Sequence, residues 1–187
     1  MILSISGASG TGKTTIISSL ASTLDNFRRL RSVTTRPPRQ DDIPGEVDAI
    51  SEREFAHLLD TGELAWSVKI FGHHYGSLMF DLANATRDKS SVLLCDVAWE
   101  ALPEIRKMLG NSIGSPPNFF SVYLAAPAIE TIMQRLRIRG MKDEEIELRL
   151  RGHADQERQQ LTSGQYDLII NSNLTTERIC ALLKALS

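Results

Sequence analysis

Near the N-terminus the run Gly7-Ala-Ser-Gly-Thr-Gly12-Lys13-Thr14 follows the pattern G-x-x-x-x-G-K-[ST] in full. Glycines let a backbone take dihedrals closed to other residues, so that successive N–H groups point inward at phosphate oxygens. A helix starting near Thr14 aims its positive end at the same place. Lys13 then reaches the β and γ phosphates of a bound nucleotide, and the Thr14 hydroxyl is placed to ligate Mg²⁺. A plain glycine turn is the alternative. The context disfavours it, because the pattern sits between the apolar run Ile2–Ser6 and the helically spaced Ile16, Ile17, Leu20 and Leu24.

A second group of residues suits phosphate from the other side. Arg28, Arg29, Arg31, Arg36 and Arg39 fall within thirteen residues that contain no acid. In Thr35-Arg36-Pro37-Pro38-Arg39 the prolines bias the chain toward polyproline II, with three residues per turn. Arg36 and Arg39 then share a face, and two guanidinium forks on one face suit a dianionic phosphate. A solvated basic loop is the bland alternative.

The elements that position these groups read as a α/β alternation. Val92–Cys95, Phe119–Leu124 and Leu168–Ile170 are nearly continuous apolar runs, as expected of strands covered on both faces. Apolar stripes follow each run: Val97, Ala101, Leu102, Ile105 and Met108; Ile129, Ile132, Met133 and Leu136; Ile179, Leu182, Leu183 and Leu186. This predicts a three-layer fold with a central parallel sheet. Residues 33–90 differ in texture, being rich in turn residues, with a capping box at Ser51 and Glu54 that starts a helix near residue 52. They read as a small inserted subdomain within a core of 1–32 and 91–187, with a second excursion at 137–152.

Composition limits the classes. The chain has 187 residues, 42% of them hydrophobic and 24% charged, and a formal net charge of −2. One domain with its own core is expected, and disorder is excluded. The near charge balance argues against a nucleic-acid or membrane-surface protein. Cys95 and Cys180 are the only cysteines and have no metal spacing, which favours a reduced, cytoplasmic setting. Met1–Ser6 has no basic flank and does not read as a signal peptide. The histidines His57, His73, His74 and His153 have no ligand spacing, so no protein metal site is expected and Mg²⁺ should arrive with the nucleotide.

The phosphate loop, Ser32-Val-Thr-Thr-Arg-Pro-Pro-Arg39, Gly72-His-His-Tyr-Gly-Ser77, Arg135-Leu-Arg-Ile-Arg-Gly140 and Tyr166-Asp-Leu-Ile-Ile-Asn171 together resemble the guanylate kinase family. The likeness runs in order from about residue 2 to the C-terminus and implies an ATP-dependent phosphotransferase acting on a phosphate-bearing acceptor, above all GMP. It implies ATP contacts at Gly7, Ser9, Gly10, Thr11, Gly12, Lys13, Thr14 and Thr15. Ser32, Arg36, Arg39 and Tyr75 match residues that hold the acceptor phosphate. Ser77 matches one that touches the guanine, and Asp96 one at the acceptor and metal side. Lys13 with the lid arginines Arg135, Arg139 and Arg149 matches the catalytic cations. Asp96 also stands just past a buried strand, where α/β folds bind ligands, although an N-cap for a helix near Val97 is the plainer use.

Two family features are missing. Around Gly45-Glu-Val-Asp-Ala-Ile50, Val47 stands near the place of a tyrosine that contacts phosphate. In Leu64-Ala65-Trp66, Ala65 or Ser67 replaces the glutamate that accepts from guanine, and Glu63 is near enough in sequence to substitute. Kinases of ribose 1,5-bisphosphate in the same superfamily lack both groups, so that acceptor stays open. Weak GMP turnover with poor discrimination among purine monophosphates is the expectation. A non-catalytic binding module is opposed by the intact loop, and RNA binding by the lack of interleaved aromatics. The oligomeric state is not legible.

Overall fold

The computed structural model describes all residues except 24, 39–41, 43–46, 88–90, 111–118, 172 and 187. The fold is α/β. A five-stranded, all-parallel sheet has the order β2-β7-β1-β8-β9, formed by β1 (Ile2–Ser6), β2 (Phe27–Arg29), β7 (Val92–Asp96), β8 (Phe119–Ala125) and β9 (Leu168–Asn171). Its faces divide the apolar residues by the two-residue period of a strand. Leu3, Ile5, Leu94 and Val122 face α1 (Lys13–Thr23) and α8 (Thr176–Leu186), through Ile16, Leu20, Ile179 and Leu183. Ile2, Leu93, Cys95 and Phe119 face the other way, toward Leu102 and Ile105 of α4 (Leu102–Leu109).

The stripe from Val97 to Met108 predicts a helix beginning near Val97, and here the structure differs. Trp99–Ala101 is a short 3-10 turn, and α4 starts only at Leu102. Pro103 supplies the reason. In a helix begun at Val97 it would lie in the interior, where its ring clashes with the carbonyl four residues back; in α4 it lies in the first turn, where it is tolerated. Val97 is buried instead as part of a loop, its carbonyl accepting from the Ser6 hydroxyl at 2.7 Å. Asp96 therefore caps no helix.

A second sheet has the order β4-β3-β6-β5, built from β3 (Ser32–Thr34), β4 (Val47–Ala49), β5 (Leu64–Ile70) and β6 (His73–Leu78). α2 (Glu52–Asp60) lies on one face. Its capping box forms as the sequence predicts: the Glu54 N–H donates to Ser51 Oγ at 3.2 Å, and the Ser51 N–H donates to Glu54 Oε2 at 2.8 Å. Phe55 of α2 packs on Val33 and Leu64 and passes under Gly76, where a Cβ would lie 2.7 Å from the Trp66 carbonyl oxygen. The opposite face sends Trp66 into the core, against Leu30, Leu82, Val97 and Leu102. α3 (Met79–Arg87) returns the chain to the large sheet.

Beyond β8, α5 (Ile129–Ile138) and α6 (Asp143–Leu150) form a helical pair closed by Ile132, Leu136 and Ile146, and α7 (His153–Thr162) lies against β8. The start of β8 is tied to the start of β9 by a buried ion pair. Arg106 of α4 donates to Asp167 Oδ2 at 2.8 Å, and that oxygen also accepts from the Ser121 N–H at 2.7 Å and the Ser121 hydroxyl at 2.8 Å. Burial alone would raise the Asp167 carboxyl; the Ser121 and Arg106 donors outweigh it and hold it below its ordinary value.

Asp167→Asn should therefore cost about 3 kcal/mol, because it strands a buried guanidinium. A depressed folded-state carboxyl stabilises the fold above its unfolded value near ~3.9 and loses that contribution as pH falls through the folded value. Denaturant melts at pH 7 and at pH 2–3 should show the gap between wild type and variant narrowing in acid.

Candidate active site

The phosphate loop turns between β1 and α1 as a nest at the carboxyl end of the parallel strands. A Cβ on Gly7 would lie 2.6 Å from the Leu124 carbonyl oxygen, and Gly12 has φ +105°, a left-handed conformation that L side chains rarely adopt. The Thr11 hydroxyl closes the turn on the Ala8 carbonyl at 2.9 Å. Lys13 Nζ bends back over the loop and donates to the Gly7 and Ala8 carbonyls at 2.8 and 3.2 Å. Gly7, Ser9, Gly10, Gly12, Lys13 and Thr14 line a cleft of about 350 Å³.

The second sheet forms the facing wall. Ser32, Arg36, Tyr75 and Val47 all line the same cleft, and Val47 is the apolar residue at the place where the sequence resemblance suggests a tyrosine. Arg36 is held there by its neighbours in sequence. The Thr34 hydroxyl donates to the His74 carbonyl at 2.8 Å and accepts from the Arg36 N–H at 3.2 Å, while Thr35 Oγ1 accepts from the His74 N–H at 2.9 Å. The two threonines thus clamp the turn before Arg36 onto β6. The guanidinium is nearly buried and pairs with both oxygens of Asp42, at 2.9 and 2.7 Å. Arg39, its expected companion, lies outside the described residues.

The positions to which the sequence resemblance assigns base reading sit at a bulge in β5. Leu64 pairs with Leu78 and Trp66 with Ser77, so Ala65 is the extra residue. Ala65 packs with Trp66 toward the core, whereas Ser67 pairs with Gly76 on the face that carries Leu64 and Phe55. Glu63 Oε1 accepts from the Thr61 hydroxyl at 2.7 Å, and Glu63 is not part of the cleft lining. Ser77 is fully buried, its hydroxyl without a partner among the described residues, and it is not part of the cleft lining.

The lid arginines divide. Arg139, the C-cap of α5, and Arg149, on α6, line the cleft, and Arg149 reaches Ser9 Oγ at 3.4 Å. Arg135 does not join them. Its Nη1 donates to the Gly10 and Thr11 carbonyls at 2.9 and 3.1 Å from behind the loop, where it borders a second hollow with Thr11, Thr15, Leu174 and Thr176. Asp96 lines the cleft from the end of β7, beside Arg29; burial lowers the Arg29 guanidinium and Asp96 opposes that shift. Oxygen donors from Thr14 and Asp96 suit a hard cation such as Mg²⁺. No cluster of three His, Cys, Asp or Glu side chains suited to hold a metal occurs among the described residues.

Sequence reasoning missed Asp42, Phe71, Glu100 and the inner face of α7. Phe71, at the β5–β6 turn, has φ +48° and sits 5.4 Å from the Arg149 guanidinium. An aromatic residue in that region is an outlier of the kind that collects at functional sites. Glu100 lies on the cleft wall in the 3-10 turn, its carboxyl raised by partial burial. His153, Gln156, Glu157 and Gln160 recur at helical spacing, a polar stripe that could have been read as a wall facing a polar ligand. Burial, with donation to Glu157 at 2.6 Å, pushes the Tyr123 hydroxyl well up.

A family model described as guanylate kinase matches residues 1–187. The guanylate kinase of Rickettsia prowazekii is 33% identical over 156 residues, covering 80% of this chain and 73% of that protein. That of Chlamydia felis is 27% identical over 188 residues, covering 99% of this chain and 86% of its own. Among solved structures, guanylate kinase from Anaplasma phagocytophilum superposes with a TM-score of 0.68 at 22% identity, covering 99% of this chain and 85% of that one, a likeness of fold.

Relieving the left-handed strain at Phe71 separates stability from function. Phe71→Gly recovers about 1–2 kcal/mol of backbone strain and gives up about 0.5–1 in chain entropy. Its melting temperature should not fall, while turnover should drop severalfold because Arg149 loses the ring beneath it. A combined thermal melt and steady-state assay checks both.

Proposed function

The chain belongs to the guanylate kinase family, and on that footing we propose that it transfers the γ-phosphoryl of ATP to GMP, giving ADP and GDP. One observation supports this above the rest: the phosphate loop and the Ser32–Arg36–Tyr75 wall open into a single cleft, so donor and acceptor phosphates can meet without water between them.

In this reading the loop N–H groups and Lys13 hold the β and γ phosphates of ATP, with the adenine toward the hollow bordered by Arg135 and Thr176. Ser32, Arg36 and Tyr75 hold the acceptor phosphate, a role the sequence resemblance extends to Arg39. An acceptor phosphate oxygen forms a bond to the γ-phosphorus as the bond to the β-γ bridging oxygen breaks, and ADP leaves with that electron pair. The protein supplies position and charge rather than covalent chemistry, which is the usual division in phosphoryl transfer. Arg139 and Arg149 close on the migrating phosphoryl from the excursion at 137–152, which acts as the lid. Residues 33–90 act as the acceptor-holding subdomain. Mg²⁺, held by Thr14 and the nucleotide with Asp96 near, would neutralise developing charge on the phosphates.

No helix among the described residues is long and apolar enough to cross a membrane, and both cysteines are free and buried. A cytoplasmic site of action fits those features.

ADP release coupled to an indicator reaction, with GMP, dGMP, AMP and ribose 1,5-bisphosphate offered in turn, tests the assignment. GMP-dependent release is expected; release with the sugar bisphosphate alone would overturn it. Lys13→Ala should lower kcat by at least ~10²-fold with the fold intact, because a preorganised charge leaves the transferring phosphates. Arg36→Ala should raise the acceptor KM by roughly 10- to 100-fold and leave the ATP KM unchanged, as each charge-assisted bond to the acceptor phosphate is worth about 1.5–3 kcal/mol. Initial-rate kinetics in both substrates separate the two.

A further inference from the structure

The cations of the cleft rest on different kinds of partner. Lys13 Nζ donates to the Gly7 and Ala8 carbonyls, and Arg149 lies over the Phe71 ring and donates to Ser9 Oγ. These partners are neutral, so a phosphate can take either cation without evicting a charge. Arg36 is held by a carboxylate instead. Its Nη1 donates to Asp42 Oδ2 at 2.9 Å and its Nη2 to Asp42 Oδ1 at 2.7 Å. Both residues line the cleft, whereas the nearby pair Arg31–Asp48 takes no part in the lining.

A guanidinium has five N–H donors on three nitrogens. Nη1 uses both of its hydrogens, since it also donates to the Pro37 carbonyl at 2.9 Å, and Nε is buried. The fork of Nη1 and Nη2 is therefore the edge that can grip a phosphate with two parallel bonds, and Asp42 already fills it. Anchoring decides which partner gives way. The Thr34–Thr35 clamp holds the turn before Arg36 on β6, and the Arg36 side chain is 9% exposed against 19% for Asp42. A carboxylate that swings out is solvated again by water, so the acid is the mobile member.

We propose that Asp42 is a built-in competitor for the acceptor phosphate. Its carboxylate fills the Arg36 fork while the site is empty, yields it to an arriving phosphomonoester, and takes it back as the product leaves. This inference rests on the reading of Arg36 as a ligand of the acceptor phosphate. The exchange keeps a nearly buried guanidinium paired throughout, and breaking such a pair without a replacement is strongly destabilising. It also weakens acceptor and product binding by one common factor, because each binds only the form whose fork is open.

The test compares the wild type with Asp42→Asn, which keeps the size and removes the charge, in kinetics with ATP and GMP and in inhibition by GDP against GMP. The GMP KM and the GDP Ki should both fall by roughly tenfold as the open fraction rises, while the ATP KM stays in place. Without ligand the variant should melt below the wild type, and saturating GMP should raise its melting temperature by more. A GMP KM that rises or holds steady overturns the proposal; a rise would mark Asp42 as a group that orients Arg36 for the phosphate. An equal fall in the ATP KM also overturns it, because the lost charge would then act on the whole cleft. If the variant does not fold, the NMR resonance of the labelled Asp42 carboxyl carbon in the wild type decides. It should move to the position of a solvated carboxylate as GMP is added, and a resonance unmoved at saturation overturns the proposal. GMP turnover with any of these contrary results defeats only this inference; no GMP turnover or binding defeats it together with the assignment of GMP as acceptor.

Discussion

The indole of Trp66 fixes the geometry on which the cleft depends. It leaves the small sheet and enters the core of the large one, 4% exposed, among Leu30, Leu82, Val97 and Leu102. An aromatic side chain of this size buries a large apolar area in a single contact. Two residues along β5 and across to β6, Tyr75 is thereby set opposite the phosphate loop, and the Thr34–Thr35 clamp sets Arg36 beside it. The bulge at Ala65 is part of the same arrangement. It lets Trp66 turn inward while Leu64 stays on the Phe55 side.

The cations of the cleft are held before any ligand arrives. Lys13 lies on two loop carbonyls, Arg36 on Asp42, and Arg149 between the Phe71 ring and Ser9, while Arg29 stands beside Asp96. Groups anchored in this way need little reorganisation when charge migrates, and that is where an enzyme moving a phosphoryl group gains most of its rate. Arg135 braces the loop from behind through the Gly10 and Thr11 carbonyls. The opposite ends of β8 and β9 are kept in place by the buried Arg106–Asp167 pair, so that the strands delivering Tyr123 and Leu124 to the loop do not shift.

What the sequence by itself determined is what short-range physics controls. The phosphate loop and the capping box at Ser51 act within a few residues of themselves, and each formed as its residues dictate. The apolar runs of the parallel sheet were equally legible, because burial on both faces leaves a continuous hydrophobic signature. The start of α4 was legible in principle through Pro103, but apolar period alone cannot tell a helix from a loop whose valine happens to be buried. The rest required the tertiary structure. Which side of α7 turns inward depends on where β8 lies, so its polar stripe looks like an ordinary solvated face until the cleft is seen. Whether Ala65 or Ser67 faces the core depends on one bulged residue, since a shift of one position in a strand sends every side chain to the other face. Arg135 and Arg149 look alike along the chain, yet the turn between α5 and α6 puts one behind the phosphate loop and the other in front of it.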